Sequence, residues 1–129
     1  LATNIGRTFY NLRSKGKVVY VDKSDSDKWV IRMIAPENLK TFNRKGHTEN
    51  PVLTETLPKE EDYCFTQDGS ILMGHKGMLY IKKNPFKNAN ATWDELIDMK
   101  TFGIEKFYRI AISVDNTKLA VVAYRGKKP

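Results

Sequence analysis

Acidic residues are the first candidates for chemistry in this chain, because carboxylates bind cations and transfer protons. Asp22, Asp25 and Asp27 are spaced through one polar segment at positions 22–27, Asp-Lys-Ser-Asp-Ser-Asp. A calcium loop of the EF-hand type needs a glycine at its sixth position and a glutamate at its twelfth. The sequence has neither. The pattern therefore favours a plain turn between two strands.

A second acidic cluster, Glu60-Glu61-Asp62, precedes a short apolar run. Neighbouring carboxylates can act as a general acid and a general base, but a reacting centre needs a second element that identifies it. The sequence contains no G-x-S-x-G elbow, no P-loop and no H-E-x-x-H pattern. We interpret the cluster as a solvated loop, assign no catalytic residue, and favour a chain that is not an enzyme by itself.

The two histidines and the single cysteine do not form a ligand set. His47 and His75 have no third ligand at a spacing that suits a metal ion. Cys64 has no second cysteine to pair with, and we interpret it as a small buried hydrophobe. We predict no metal and no cofactor.

The formal net charge of +7 first suggests a nucleic-acid-binding protein. The basic residues are scattered from Arg7 to Lys128, usually near Asp or Glu. This distribution favours a solvated basic surface over a phosphate-binding patch, and we predict no nucleic-acid partner. No apolar run approaches the roughly 18 residues of a membrane span, so we predict no span either.

The elements that must hold these side chains are strands, because short apolar and aromatic runs alternate with turn residues. Strands are predicted at 7–12, 17–21, 28–34, 107–113 and 118–124, with a shorter edge strand at 39–42. The segment 43–59 contains Gly46, Pro51 and Pro58 and little periodicity, which predicts a connecting loop.

Residues 62–81 predict three antiparallel strands joined at Asp68-Gly69 and Lys76-Gly77, two dipeptides typical of tight turns. The segment Trp93–Met99 is ambiguous from local signals. Thr92 and Glu95 could form a capping box that opens a helix, although Gly103 would end it early, and an outer strand fits the spacing equally well.

An internal repeat decides between these alternatives. The turn positions 15, 68 and 115 lie about 53 and 47 residues apart, close to the roughly 40 to 50 residue period of four-stranded propeller blades. Trp93–Met99 then takes the outer-strand position that Leu39–Phe42 takes one unit earlier, which favours a strand. The sequence thus predicts two complete four-stranded units, about 7–46 and 61–102, and half of a third, about 107–124.

Two stretches carry a family resemblance: Phe65-Thr66-Gln67-Asp68-Gly69, and the run from Ala111 to Val122 with Asp115-Asn116-Thr117-Lys118-Leu119-Ala120 at its centre. They resemble the FSPDG-x-K-[IL]-A repeat of TolB-like, WD-repeat-like β-propellers. The chain differs in having Gln67 and Val114 where that family usually has proline. The resemblance implies an all-β fragment of a larger propeller over residues 1–129, periplasmic or secreted residence, and a binding role.

The same resemblance places a binding surface where outer strands connect to the next inner strand, in the loops 46–62 and 101–109. Asp62, Tyr63, Tyr108 and Arg109 are the predicted binding residues near a central opening.

Three functions remain open from the sequence. The first is a non-catalytic propeller scaffold whose protein or small-molecule ligand is unknown and whose sheets pack with the rest of a propeller or with other copies. The second is the propeller portion of a hydrolase or lyase with its catalytic site outside this chain. The third is a small basic nucleic-acid-binding β domain.

Overall fold

The computed structural model describes residues 5–10, 18–25, 29–34, 52–55, 62–88 and 90–126. The predicted turn at 14–16, the predicted edge strand at 39–42, and the side chains of Asp27, His47 and Glu60-Glu61 lie outside these residues. The chain divides into two compact units, Leu1–Thr56 and Leu57–Pro129.

The first unit contains sheet A, a four-stranded antiparallel meander in the order β1-β2-β3-β4. Its strands are β1 Ile5–Tyr10, β2 Val18–Asp22, β3 Val30–Ile34 and β4 Val52–Glu55. Val19, Tyr20 and Val21 are all buried, so β2 is covered on both faces, since successive side chains of a strand point to opposite faces.

β4 corrects the sequence prediction, which placed residues 43–59 in a connecting loop and ended the first unit at about residue 46. Thr54 is the buried residue of this strand, and it pairs with Ile31 of β3. The buried side chain of this short strand is polar, so the local sequence shows no apolar alternation. The position of the strand is set by its pairing with β3 instead.

The second unit contains sheets B and C. Sheet B is another four-stranded antiparallel meander, β5-β6-β7-β8, and sheet C has two antiparallel strands, β9 and β10. The strand bounds are β5 Tyr63–Phe65, β6 Ile71–His75, β7 Met78–Lys82, β8 Trp93–Asp98, β9 Ile104–Ile112 and β10 Leu119–Arg125. The all-β prediction is confirmed for the described residues, and the predicted outer strand Trp93–Met99 is confirmed over Trp93–Asp98.

Local turn chemistry explains the β6–β7 hairpin. Lys76 and Gly77 both have positive φ, 48° and 81°, as a two-residue type I′ turn requires. Gly77 also has the carbonyl oxygen of Ile104 close by, 2.2 Å from where a Cβ would lie. The predicted turns at Asp68-Gly69 and Lys76-Gly77 are therefore confirmed.

β9 begins three residues earlier than predicted, directly after a short 3₁₀ turn, Lys100–Phe102, and Gly103 with φ of 79°. The expected loop at 101–109 is therefore wrong for residues 104–109. The added residues are stabilised by non-local pairing, since Lys106 lies opposite Tyr124 and Ile104 opposite Arg125. None of the helical turns in the described part of the chain has the length and apolarity of a membrane span.

Sheets B and C meet where β5 and β6 contact β9. Phe107 of β9 is fully buried, and its ring lies over Gly74 of β6. A Cβ at position 74 would lie 2.3 Å from Cδ2 of Phe107. The Phe107 ring therefore occupies the space that a side chain at position 74 would fill.

Gly74→Ala should destabilise the second unit by about 1–3 kcal/mol, because the new methyl group overlaps the Phe107 ring and the core must shift to admit it. Urea unfolding followed by circular dichroism measures this difference. In the double variant with Phe107→Ala, the alanine at position 74 should add almost no further cost, as a double-mutant cycle would show. Equal costs of Gly74→Ala in both backgrounds would contradict the packing described.

Candidate functional site: the groove between sheets B and C

Asp62 joins sheet B to sheet C through its side chain and its backbone. Its carboxylate is almost completely buried, and Oδ2 accepts a hydrogen bond of 2.7 Å from the backbone N–H of Ile110. Its carbonyl oxygen accepts a bond of 3.2 Å from the N–H of Gly74. A buried carboxylate is tolerated where hydrogen bonds compensate the loss of water, and here the bonds lead to two different strands.

The four predicted binding residues lie in two different environments. Asp62 and Tyr63 are buried, with exposed fractions of 5% and 4%, and the Tyr63 ring makes an edge contact with Phe65 at 6.4 Å between ring centroids. Tyr108 and Arg109 are exposed on β9, and Nη1 of Arg109 donates to the carbonyl oxygen of Tyr108. The structure therefore does not gather the four side chains on one surface, and their role in binding stays a prediction.

Two turns with the same hydrogen-bond pattern lie at one end of sheets B and C. In the turn after β5, the Thr66 hydroxyl donates to Oδ1 of Asp68, which also accepts the N–H of Ser70. In the turn after β9, the hydroxyl of Ser113 donates to Oδ1 of Asp115 at 2.7 Å, and Oδ1 also accepts the N–H of Thr117. In both turns, one carboxylate oxygen of the aspartate accepts two hydrogen bonds. One comes from the hydroxyl two positions before the aspartate, and the other comes from the backbone N–H two positions after it.

These bonds stabilise the charged form of both aspartates. The Thr66 hydroxyl, the largest influence, holds the pKa of Asp68 below its ordinary value. The hydroxyls of Ser113 and Thr117 lower the pKa of Asp115 to about 2. Because donors that belong to each turn bind these carboxylates, we interpret both aspartates as structural, in agreement with the sequence prediction.

Asp22 has a comparable structural role in sheet A. Its Oδ2 accepts a hydrogen bond of 2.6 Å from Nε of Arg32, and its Oδ1 accepts the N–H of Ser24. Burial raises the pKa of Asp22, but the bonds from Ser24 and Arg32 outweigh burial and lower the pKa overall. The bond from the N–H of Ser24, two residues further on, supports the interpretation of the described start of the acidic segment as a turn.

A groove of about 450 Å³ lies between sheets B and C at the end where the two turns meet. Its walls include Leu72, Ile81 and Ile97 of sheet B, and Ile112 and Leu119 of sheet C. Its polar lining carries charges of both signs, from Asp68 and from Lys83 and Lys118, together with the amides of Asn84 and Asn116. An apolar cleft with a few polar groups at its edge suits a partner that supplies apolar side chains.

The local sequence pattern did not predict the groove, because one of its walls depends on a shift in the register between β7 and β8. Leu96 and Ile97 are adjacent in β8, yet both line the groove, with exposed fractions of 46% and 41%. The register between β7 and β8 shifts next to them, and a bulge of this kind re-aims a side chain. The adjacent apolar residues Leu96 and Ile97 were the local sequence signal that could have indicated the groove.

The described residues do not support metal chemistry. Within them, no three His, Cys, Asp or Glu side chains are placed so that they could hold one ion. Cys64 is buried, as the sequence predicted. No family model, curated protein or solved structure matches the chain.

Asp62→Ala should leave the buried N–H of Ile110 without this acceptor and lower the free energy of unfolding by about 1.5–3 kcal/mol, as expected for a bond to a charged group. Hydrogen exchange of the Ile110 amide, measured by NMR, should accelerate. Asp62→Asn is the matched control, because its side chain keeps an acceptor oxygen and should retain most of the protection. An unchanged Ile110 exchange rate in Asp62→Ala would contradict the assigned bond.

The two turn aspartates should respond independently to loss of their hydroxyl donors. Ser113→Ala should raise the pKa of Asp115 from about 2 toward the ordinary value of about 3.9 and leave that of Asp68 unchanged. Thr66→Val should raise the pKa of Asp68 and leave that of Asp115 unchanged. Carboxyl carbon shifts recorded by NMR against pH measure all four values.

The same shifts fix the sign of the pH dependence of stability. Both aspartates have folded pKa values below the unfolded value of about 3.9, so they stabilise the fold above that pH and lose this contribution as pH falls through the folded pKa. Urea unfolding of the wild-type protein should therefore show decreasing stability below about pH 4. Ser113→Ala and Thr66→Val should weaken this decrease, and an unaltered pH profile would contradict the assignment.

Proposed function

We propose that the chain is a non-catalytic binding scaffold built from propeller-type blades. The observation that carries the proposal is the repeated aspartate turn, in which Thr66-Asp68-Ser70 and Ser113-Asp115-Thr117 make the same bonds. Each turn links the first strand of its sheet to the second. A shared turn at the same place in two sheets supports repetition of one structural unit.

The strand orders support the same proposal. Sheets A and B are four-stranded meanders, and sheet C has the first two strands of such a unit. Blades of four antiparallel strands are the units of β-propellers. The TolB-like resemblance of the turn sequences extends the proposal to an exported protein of that type.

Binding fits the described residues better than catalysis does. The carboxylates of Asp22, Asp68 and Asp115 accept bonds from their own turns and from Arg32. The groove between sheets B and C offers apolar walls and a polar rim that includes lysine and amide side chains and Asp68. This rim can hold a ligand, and the Asp68 carboxylate is bound by its own turn instead of being paired with a nucleophile. The partner is therefore a protein or small-molecule ligand.

Residual dipolar couplings test the blade arrangement directly. Backbone couplings from β2, β3, β6, β7, β9 and β10, measured in two alignment media, report the orientations of the three sheets. Successive sheets should be related by rotations of roughly 45–90° about a common axis, as in rings of four to eight blades.

A different result would remove the proposal. If sheets A and B stack face to face with strand directions within about 30°, the chain is a sandwich rather than part of a propeller. Couplings within sheet B alone serve as the control, since the known meander must fit a single alignment tensor in either arrangement.

A further inference from the structure

The loop between β7 and β8 contains a sequence pattern that the proposed binding role does not use. Asn90-Ala91-Thr92 has the form Asn-X-Ser/Thr with a residue other than proline in the middle. This tripeptide, known as a sequon, is the acceptor pattern for N-linked glycosylation in exported proteins. No other asparagine in the sequence is followed two positions later by serine or threonine. A pattern this short needs structural context before it indicates a site.

Three asparagines lie in this loop, and two of them have structural roles. Asn84 donates from Nδ2 to the carbonyl oxygen of Asp68 at 2.6 Å and accepts the N–H of Lys87 at 3.2 Å. The carboxamide oxygen of Asn88 accepts the backbone N–H of Asn90 at 3.0 Å. The carboxamide of Asn90 takes part in none of these bonds. A group attached to it would therefore leave them intact.

Both side chains that define the sequon face solvent. Asn90 and Thr92 are exposed, whereas Ala91 between them is half-buried. The carboxamide that is modified and the hydroxyl that is recognised are thus presented together, and the small side chain faces the protein. A glycan is bulky and requires a surface position of this kind.

Backbone hydrogen bonds hold the sequon at the surface. The N–H of Ala91 donates to the carbonyl oxygen of Asn88 at 3.1 Å, and the N–H of Asn88 donates to that of Asn84 at 3.1 Å. β8 begins directly after the sequon at Trp93, which lies opposite Lys82 of β7. The sequon therefore lies between a hydrogen-bonded turn and a paired strand, and modification of a side chain disturbs neither.

A shallow depression of about 230 Å³ lies beside the sequon. In addition to the three sequon residues, it is lined by Lys83, Asn88 and Asp94, and all three of these side chains are exposed. Ammonium, amide and carboxylate groups can exchange hydrogen bonds with the hydroxyl groups of a sugar. The surface next to the Asn90 carboxamide is thus polar and has room for the first sugar of a glycan.

We propose that Asn90 is the acceptor for an N-linked oligosaccharide, which a transferase of the secretory pathway attaches. Nδ2 of Asn90 forms a bond to the anomeric carbon of the first sugar and loses a proton to a base of the transferase. The bond between that carbon and a lipid diphosphate breaks, and the lipid diphosphate leaves with the electron pair. The co-substrate is therefore an oligosaccharide linked to a lipid diphosphate.

The inference rests on the export that the proposed function includes, but it does not depend on the arrangement of the blades. The full chain is therefore secreted from cultured eukaryotic cells behind an added, cleavable signal peptide, so that the experiment itself supplies export. Mass spectrometry of the peptide that contains Asn90 should show an attached glycan. Peptide N-glycosidase should remove the glycan and leave an aspartate at this position. The same chain made in the cytosol without the signal is the negative control and should carry no glycan.

Variants of the loop separate the sequon from its surroundings. Asn90→Gln and Thr92→Ala should each abolish the glycan, whereas Thr92→Ser keeps a hydroxyl and should retain it. Asn88→Gln is the matched control, because Asn88 is exposed in the same loop but lies outside the pattern, and this variant should stay glycosylated. The enzyme acts on the chain as it enters the secretory compartment, so glycopeptides from that compartment report the site even if a variant fails to leave the cell.

The outcomes distinguish this site from the rest of the proposed function. A wild-type chain that is secreted without a glycan on Asn90 would overturn the assignment of the site, whereas the dipolar couplings test the blades separately. A glycan that persists in Thr92→Ala would contradict recognition through the sequon. A glycan that is present in the wild type and in Asn88→Gln but lost in Asn90→Gln and Thr92→Ala would support the proposal.

Discussion

The contact between β9 and sheet B is the constraint on which the second unit depends. A two-stranded sheet is marginal in water, so β9 and β10 need another surface for stability. Phe107 supplies apolar burial over Gly74, and Asp62 binds the N–H of Ile110. The two interactions are complementary. Burial of the Phe107 ring stabilises the contact without fixing a direction, whereas the hydrogen bond of the Asp62 carboxylate fixes the position of β9 along sheet B. Asp62 also binds β9 on the side that does not pair with β10.

The two aspartate turns show how one hydrogen-bonded turn can recur with little sequence identity. What the turn requires is a hydroxyl residue, an aspartate two positions later and a free amide two positions beyond. Thr66 and Ser113 meet the first requirement, and both carboxylates accept the same pair of donors. Gly69 and Asn116 both have positive φ, which asparagine tolerates better than most residues. Gln67 and Val114 differ in chemical type, and none of these bonds uses their side chains.

The sequence predicted the elements whose causes are local. The hairpin at Lys76-Gly77 follows from Gly77, which accepts positive φ at no steric cost. β4 was missed because Thr54 belongs to a strand only through its pairing with Ile31, and no local pattern encodes that partner. Asp62 was placed in a solvated cluster for the same reason, since the amide it binds is 48 residues away. Chemistry within a few residues was predictable, whereas pairing across the fold was not.

β8 and β10, which end sheets B and C in the described part of the chain, differ in their chemistry. β8 ends sheet B with three carboxylates in six residues, whereas β10 ends sheet C with an uninterrupted apolar run. Charged side chains on an edge strand oppose the addition of another strand, whereas an apolar edge strand lacks this protection. Within the part of the chain that the structure describes, β10 is therefore the edge whose side chains oppose further strand pairing less than those of β8 do.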